Sequence, residues 1–233
     1  MPAYETLAAF HARVDGFMHD SLPHEGGFTT REPLKEKVGP DGRMLPFFGN
    51  TMIYDLPTPA KLAIARMQLV LHHLCGPYLA EPLSPASLHL TLHDLLNGTD
   101  EAALQEGLAA TGAQAKAILS DIRAQNAPAV HLTSVAAFNM VNGSVALGFA
   151  PDTEADCAAI MALHARYQDV VRLGYPLTPH VTLAYFRPGC YGPEMVDALR
   201  EALAQINALP PVPLALHAGM LDYRCFRDML AYV

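Results

Sequence analysis

Residues 178–186 read TPHVTLAYF and residues 87–95 read SLHLTLHDL, and both stretches contain the pattern His-x-Thr-Leu, at positions 180–183 and 89–92. Their mixture of β-branched and apolar residues predicts that each stretch is a β-strand. On a strand, residues i and i+2 point to the same face. Each predicted strand therefore has one face with an imidazole and a hydroxyl, and an opposite face with apolar side chains that can be buried.

The sequence around the two motifs is also repeated. Pro-Leu-Ser-Pro occupies residues 82–85 before the first motif, and Pro-Leu-Thr-Pro occupies residues 176–179 before the second. The two histidines are 180 − 89 = 91 residues apart, and each motif follows a predicted strand and helix and precedes another predicted helix. We therefore predict an α+β protein with a bilobal, pseudo-twofold duplicated fold, in which two antiparallel sheets face a central cleft and the helices lie outside.

A third His-x-Thr tripeptide, at residues 131–133, does not belong to this series. It has no preceding helix and no Pro-Leu-Ser/Thr-Pro loop, and it leads directly into a hairpin predicted at Asn142-Gly143. We expect His131 to be structural.

The remaining chain divides into an N-terminal extension, residues 1–47, and a domain, residues 48–233. The extension is predicted to hold a short helix around residues 4–18 and a Pro/Gly-rich arm; we expect a packed surface arm, with a lid over a site as the alternative. Within the domain we predict a helical stretch over 100–126 interrupted near Gly112, a helix over 152–174, and two closing strands within 213–223 and 226–233.

Composition limits the partners of the protein. The 233 residues are 51% hydrophobic and carry a net charge of −8, which argues against a protein that coats long nucleic acid. We expect a small nucleotide or short RNA-end substrate and no membrane partner, and we expect a monomer. The start of the chain does not resemble a secretory signal, and the four cysteines are far apart in the sequence, so a cytoplasmic location is expected.

Two imidazoles and two hydroxyls that converge on one cleft are suited to phosphodiester hydrolysis. Histidine can act as base or acid near neutral pH, so one ring can take a proton from water while the other gives one to the leaving oxygen. The Thr91 and Thr182 hydroxyls can donate to non-bridging phosphate oxygens. Together with the repeated Pro-Leu-Ser/Thr-Pro loop and the matching helices around each motif, these residue types predict His89 and His180 as the catalytic pair.

At these residues the sequence resembles the 2H phosphoesterase superfamily, which includes the bacterial and archaeal 2′-5′ RNA ligase or RNA 2′,3′-cyclic phosphodiesterase proteins. The resemblance covers about residues 48–233 and departs from the ligase-like members just after the first motif, at residues 93–98. It implies a phosphodiesterase without metal or other cofactor. It also implies that His180 activates water, that His89 protonates the departing ribose oxygen, and that Thr91 and Thr182 bind the phosphate.

Two further residues are predicted to border the substrate. His93 shares the face of His89 on a regular strand, and Phe186 continues the face of His180 and is placed to stack on a base. Arg187, Arg224 and Arg227 are surface residues or phosphate contacts. Two alternative functions remain: a nucleotide- or phosphate-binding protein without turnover that uses the same cleft, and a metal-dependent hydrolase with His89, His93 and His180 as ligands.

Overall fold

The protein is described here from a computed structural model that covers residues 5–125 and 127–232. Its helices are α1 (Leu7–His19), α2 (Thr58–Cys75), α3 (Glu101–Ala124), α4 (Glu154–Ala165) and α5 (Pro193–Asn207). Its strands are β1 (Phe28–Thr29), β2 (Phe48–Asp55), β3 (His89–Gly98), β4 (Val130–Met140), β5 (Ser144–Pro151), β6 (His180–Tyr185), β7 (Cys190–Tyr191), β8 (Pro213–Leu216) and β9 (Leu221–Phe226).

The strands form two larger sheets in which neighbouring strands are antiparallel. One has the order β3-β2-β9 and the other has the order β6-β5-β4-β8, while β1 and β7 pair separately. The predicted α+β class with antiparallel sheets is confirmed. The order strand, helix, strand, helix occurs as β2-α2-β3-α3, and it occurs again as β5-α4-β6-α5 except that the short strand β7 lies between β6 and α5.

Both His-x-Thr strands lie at sheet edges. β3 is an edge of the three-stranded sheet and β6 is an edge of the four-stranded sheet, and the two strands contact each other. The two motifs therefore meet where one sheet ends and the other begins. Helix α3 packs on β2, β3 and β9, whereas α1 and α4 pack on β4 and β5.

Helix α3 is continuous through Gly112, where the sequence predicts an interruption. Gly112 is buried, and a Cβ atom added there would lie 2.6 Å from the hydroxyl of Tyr223 on β9. The glycine therefore allows the helix to approach the sheet closely, and it does not break the helix.

Two other predicted elements have different limits in the structure. Helix α4 is capped by Thr153, whose hydroxyl accepts from the backbone N–H of Asp156, but the helix ends at Ala165 and not near Gly174. The last strand of the described chain is β9, so most of the strand predicted over 226–233 is wrong; Val233 lies outside the described residues.

The N-terminal extension is packed onto the domain. Phe10, Val14 and Met18 of α1 are almost fully buried and belong to the same hydrophobic core as the sheets. Gly148 on β5 makes room for this helix, because a Cβ atom there would lie 2.3 Å from the terminal methyl of Met18. The helix begins at Leu7, later than the sequence predicts, and residue 4 of that prediction lies outside the described residues.

No helix within residues 5–125 and 127–232 is both long enough and apolar enough to cross a bilayer.

Candidate active site

The two motifs line one cleft between the facing edge strands. The cleft has a volume of about 780 Å³, and His89 and Thr91 of β3 line it together with His180 and Thr182 of β6. These four side chains are partly exposed, whereas Leu90 and Val181 between them are buried. Over these residues the strands alternate as the sequence predicts.

Equivalent hydrogen bonds hold the two imidazole rings. The Nδ1 atom of His89 lies 2.7 Å from the carbonyl oxygen of Ser87, and the Nδ1 atom of His180 lies 2.8 Å from that of Thr178. A carbonyl can only accept, so Nδ1 carries the proton in both rings. Each Nε2 is then left to take or give a proton, and each ring is fixed by the backbone two residues before it.

The two rings also influence each other's protonation. Burial lowers the pKa of His89; the Ser87 carbonyl and Asp94 oppose this effect, and the charges of His180 and Lys61 add to it. Burial also lowers the pKa of His180, opposed by its own carbonyl partner and by Asp94. Because a proton on His180 also disfavours one on His89, the state in which both rings are charged is the least favoured.

A bulge interrupts each motif strand at its fourth residue. Ile53 pairs with Thr91 and Met52 with His93, which makes Leu92 the extra residue of β3. In the same way, Leu183 is the extra residue of β6, because pairing passes from Thr182 to Ala184. One extra residue reverses the face that the following side chains take.

The bulges turn Asp94 and Tyr185 into the cleft. Each lies five positions after the histidine of its strand, and each lines the cleft. Tyr175 donates a hydrogen bond of 3.3 Å to one Asp94 oxygen, and Thr51 lies 3.5 Å from the other. The Tyr185 hydroxyl donates to the sulfur of Met229 at 3.3 Å. Regular alternation cannot predict either residue, and no local pattern in the sequence marks the bulges.

The same bulge corrects the prediction for His93. Although His93 borders the cleft, it is only 1% exposed, and its ring packs against His164, 4.8 Å away between centroids, and Tyr167. Its Nδ1 atom is bonded to the carbonyl of Asp94 at 2.5 Å. His93 does not share the face of His89, so the alternative site of three histidine ligands does not assemble.

Phe186 is also placed differently from the prediction. It is fully buried and packs against Phe28 and Tyr191, whose ring centroids lie 5.4 and 6.4 Å away. Aromatic residues other than Phe186 line the cleft. Tyr232 lies with its ring centroid 4.5 Å from that of His89, and Tyr175 is 56% exposed at the cleft.

The basic residues at the cleft come from the N-terminal extension. Arg13, Arg31 and Lys37 line it, whereas Arg187, Arg224 and Arg227 do not. Arg187 donates to backbone carbonyls, while Arg224 and Arg227 lie beside acidic side chains. The guanidinium of Arg13 is bonded to Glu5, to the Thr178 hydroxyl and to the Leu177 carbonyl. It thus supports the loop that leads into His180.

Two observations concern the other predicted histidine and metal chemistry. His131 lies on β4 outside the cleft lining, with its Nδ1 atom 3.5 Å from Asp156. Throughout the described part of the chain, the structure contains no group of three or more His, Cys, Asp or Glu side chains arranged to hold a metal ion.

Comparison with solved structures shows a shared fold. A conserved protein of unknown function from Agrobacterium tumefaciens, ATU0111, is 18% identical, with a TM-score of 0.64 over 88% of this chain and 91% of that one. No model of a known protein family matches the sequence, and no curated protein matches it.

Two further matches are more distant. Apo LigT from Escherichia coli is 16% identical, with a TM-score of 0.46 over 81% of this chain and 95% of LigT. TT0787 from Thermus thermophilus is 18% identical, with a TM-score of 0.42 over 76% and 86% of the two chains. At these identities the likeness is one of fold.

Proposed function

We propose that this chain is a metal-independent phosphodiesterase that hydrolyses a 2′,3′-cyclic or related phosphodiester of an RNA end or a small nucleotide. The observation that supports this most strongly is the equivalent setting of two histidines. Both lie on facing edge strands, both are held through Nδ1 by a carbonyl two residues earlier, and both have a threonine beside them in one cleft.

The reaction requires one proton transfer at each ring, to one ring and from the other. The Nε2 atom of the neutral histidine takes a proton from water as the water oxygen bonds to phosphorus. The Nε2 atom of the charged histidine gives its proton to the ribose oxygen as the P–O bond breaks. Thr91 and Thr182 donate to the non-bridging oxygens and hold the phosphate between the rings. A phosphate anion between the rings adds to the charge of Asp94 and favours the protonated ring.

The size of the cleft supports a small substrate. Its volume of about 780 Å³ falls within the roughly 300–1,000 Å³ that is usual for small-ligand sites. A nucleotide fits such a volume, whereas an extended polynucleotide requires a long basic surface, which a chain with a net charge of −8 does not suggest.

The test is the hydrolysis of adenosine 2′,3′-cyclic phosphate in the presence of EDTA, followed by chromatography of the products. We expect turnover by the unmodified protein and losses of about 10²–10⁴-fold in His89→Ala and in His180→Ala. The matched control is His131→Ala, which removes the third His-x-Thr histidine outside the cleft and leaves the rate unchanged.

Three outcomes would contradict the proposal. Wild-type rates in both cleft variants would exclude the histidine pair, and loss of turnover with EDTA would indicate a metal-dependent reaction. Tight binding of the cyclic nucleotide without product would show a binding protein that uses the same cleft.

The pH profile assigns the two roles. Burial disfavours a charge on both rings, and Lys61 and His180 add to this effect at His89. On this ground we propose that His180 carries the proton in the reaction, opposite to the roles that the resemblance implies. Removing the base abolishes the acidic limb of the profile, and removing the acid abolishes the basic limb. The residual activities of the two alanine variants, measured from pH 4.5 to pH 9, therefore distinguish the assignments.

A further inference from the structure

Two cations of the N-terminal extension face the same cleft as the histidine pair. Arg31 and Lys37 lie on either side of the short 3₁₀ turn Glu32–Glu36, and both line the cleft. Within the described residues, neither side chain has a hydrogen bond or an ion pair. By contrast, Lys35 of the same turn does not line the cleft and pairs with Glu32 at 2.9 Å.

Lys37 is half-buried, Arg31 is exposed, and the charge of Lys37 is incompletely compensated. Its ammonium is 4.7 Å from the centroid of the Phe47 ring. Asp94 and Glu36 act on it as negative charges and Arg31 as a positive charge, but neither carboxylate comes within ion-pair distance. Burial is the main cause that lowers the pKa of Lys37. A desolvated cation without a close counter-ion is unfavourable, and an anionic ligand removes that cost.

We propose that Arg31 and Lys37 form a second anion subsite, which recognises a phosphate group that the substrate carries in addition to the phosphodiester held between His89 and His180. This inference rests on the proposed function. A guanidinium can donate two parallel hydrogen bonds to one phosphate, and an ammonium adds a compact charge, so the two cations suit a phosphomonoester dianion. A nucleotide with phosphate at both ends of its ribose is a substrate of this class.

The experiment compares two substrates in one assay. Adenosine 2′,3′-cyclic phosphate is supplied with a free 5′-hydroxyl and with a 5′-phosphate, and kcat/KM is measured for each. Charge-assisted hydrogen bonds favour the phosphorylated substrate by about tenfold or more. We expect that ratio in the unmodified protein, and we expect it to fall towards one in Lys37→Met and in Arg31→Gln. The control Lys35→Met, outside the cleft on the same turn, retains the full ratio.

Binding measurements separate the failure of this inference from the failure of the proposed function. Adenosine 3′-phosphate and adenosine 3′,5′-bisphosphate are titrated calorimetrically into the same four proteins. In one result, neither cyclic substrate is hydrolysed, but the bisphosphate binds about tenfold more tightly than adenosine 3′-phosphate and loses this advantage in Lys37→Met. That result would contradict the proposed reaction and support the subsite. If hydrolysis occurs with equal kcat/KM for both substrates, or the ratio persists in both cleft variants, the subsite is wrong and the reaction stands.

Discussion

Replacement of His164 tests how burial of this histidine, against the buried side of β3, makes the stability of the protein depend on pH. His164 on α4 is 7% exposed and packs against His93 on β3, directly after the bulge at Leu92. Burial, reinforced by the charge of His93, lowers the pKa of His164 from the ordinary 6.5 to about 4. The folded protein therefore keeps His164 neutral at pH values at which the unfolded chain has already protonated it.

The magnitude follows from this difference in pKa. Between pH 6.5 and pH 4 the unfolded state binds the extra proton, so stability falls as the pH falls through this window. The difference between a pKa of 6.5 and one of about 4 corresponds to about 3 kcal/mol. Between pH 7.5 and pH 5.0 the same two pKa values give a loss of about 2 kcal/mol in the free energy of unfolding.

The assay is urea unfolding at pH 7.5 and at pH 5.0, with the free energy of unfolding extrapolated to water. His164→Leu introduces an apolar side chain of similar volume that does not titrate. Between pH 7.5 and pH 5.0 the variant should therefore lose about 2 kcal/mol less of its free energy of unfolding than the unmodified protein. His73→Leu, an exposed position on α2, is the matched control for replacing a helical histidine. Parallel pH dependence in His164→Leu and the unmodified protein, within about 0.5 kcal/mol, would refute the reasoning.

Other substitutions test the bulge and the glycine packing. Asp94→Asn removes a negative charge that raises the pKa of both cleft histidines. The bell-shaped pH profile of kcat/KM for adenosine 2′,3′-cyclic phosphate should therefore move to lower pH. An unchanged profile would contradict the placement of Asp94. Gly112→Ala should lower the free energy of unfolding by about 1–3 kcal/mol, because its Cβ meets Tyr223. Gly16→Ala, a glycine of α1 with open space around it, should instead raise stability by about 0.5–1 kcal/mol, and chemical unfolding measures both.

The sequence is informative where the backbone is regular. Alternation along a strand places His89 with Thr91 and His180 with Thr182, and the structure brings these four side chains to one cleft. The repeated loop before each motif identifies which of the three His-x-Thr histidines to pair. These signals depend only on local spacing, which a sequence displays directly.

The sequence does not predict which side chains face the cleft where that placement depends on one extra residue in a strand or on a distant contact. Because of the bulge at Leu92, Asp94 faces the cleft and His93 is turned to the buried side. Because of the bulge at Leu183, Tyr185 faces the cleft, which regular alternation does not predict. A bulge depends on pairing with another strand, so the local sequence does not reveal it. The position of Lys37 at the cleft likewise depends on how the extension packs against both sheets.

The two bulges also bear on how a nearly symmetric site performs an asymmetric reaction. The histidine, its carbonyl partner, the threonine and the extra leucine are equivalent in the two strands, so these features give both rings the same chemistry. The fifth position after each histidine differs, with a carboxylate at Asp94 and a phenol at Tyr185. Lys61 adds a positive charge that lowers the pKa of His89, and Arg13 supports the loop before His180. We therefore expect the assignment of acid and base to depend on these unpaired neighbours. Lys61→Met should raise the pKa of His89, which NMR titration of the imidazole resonances can measure.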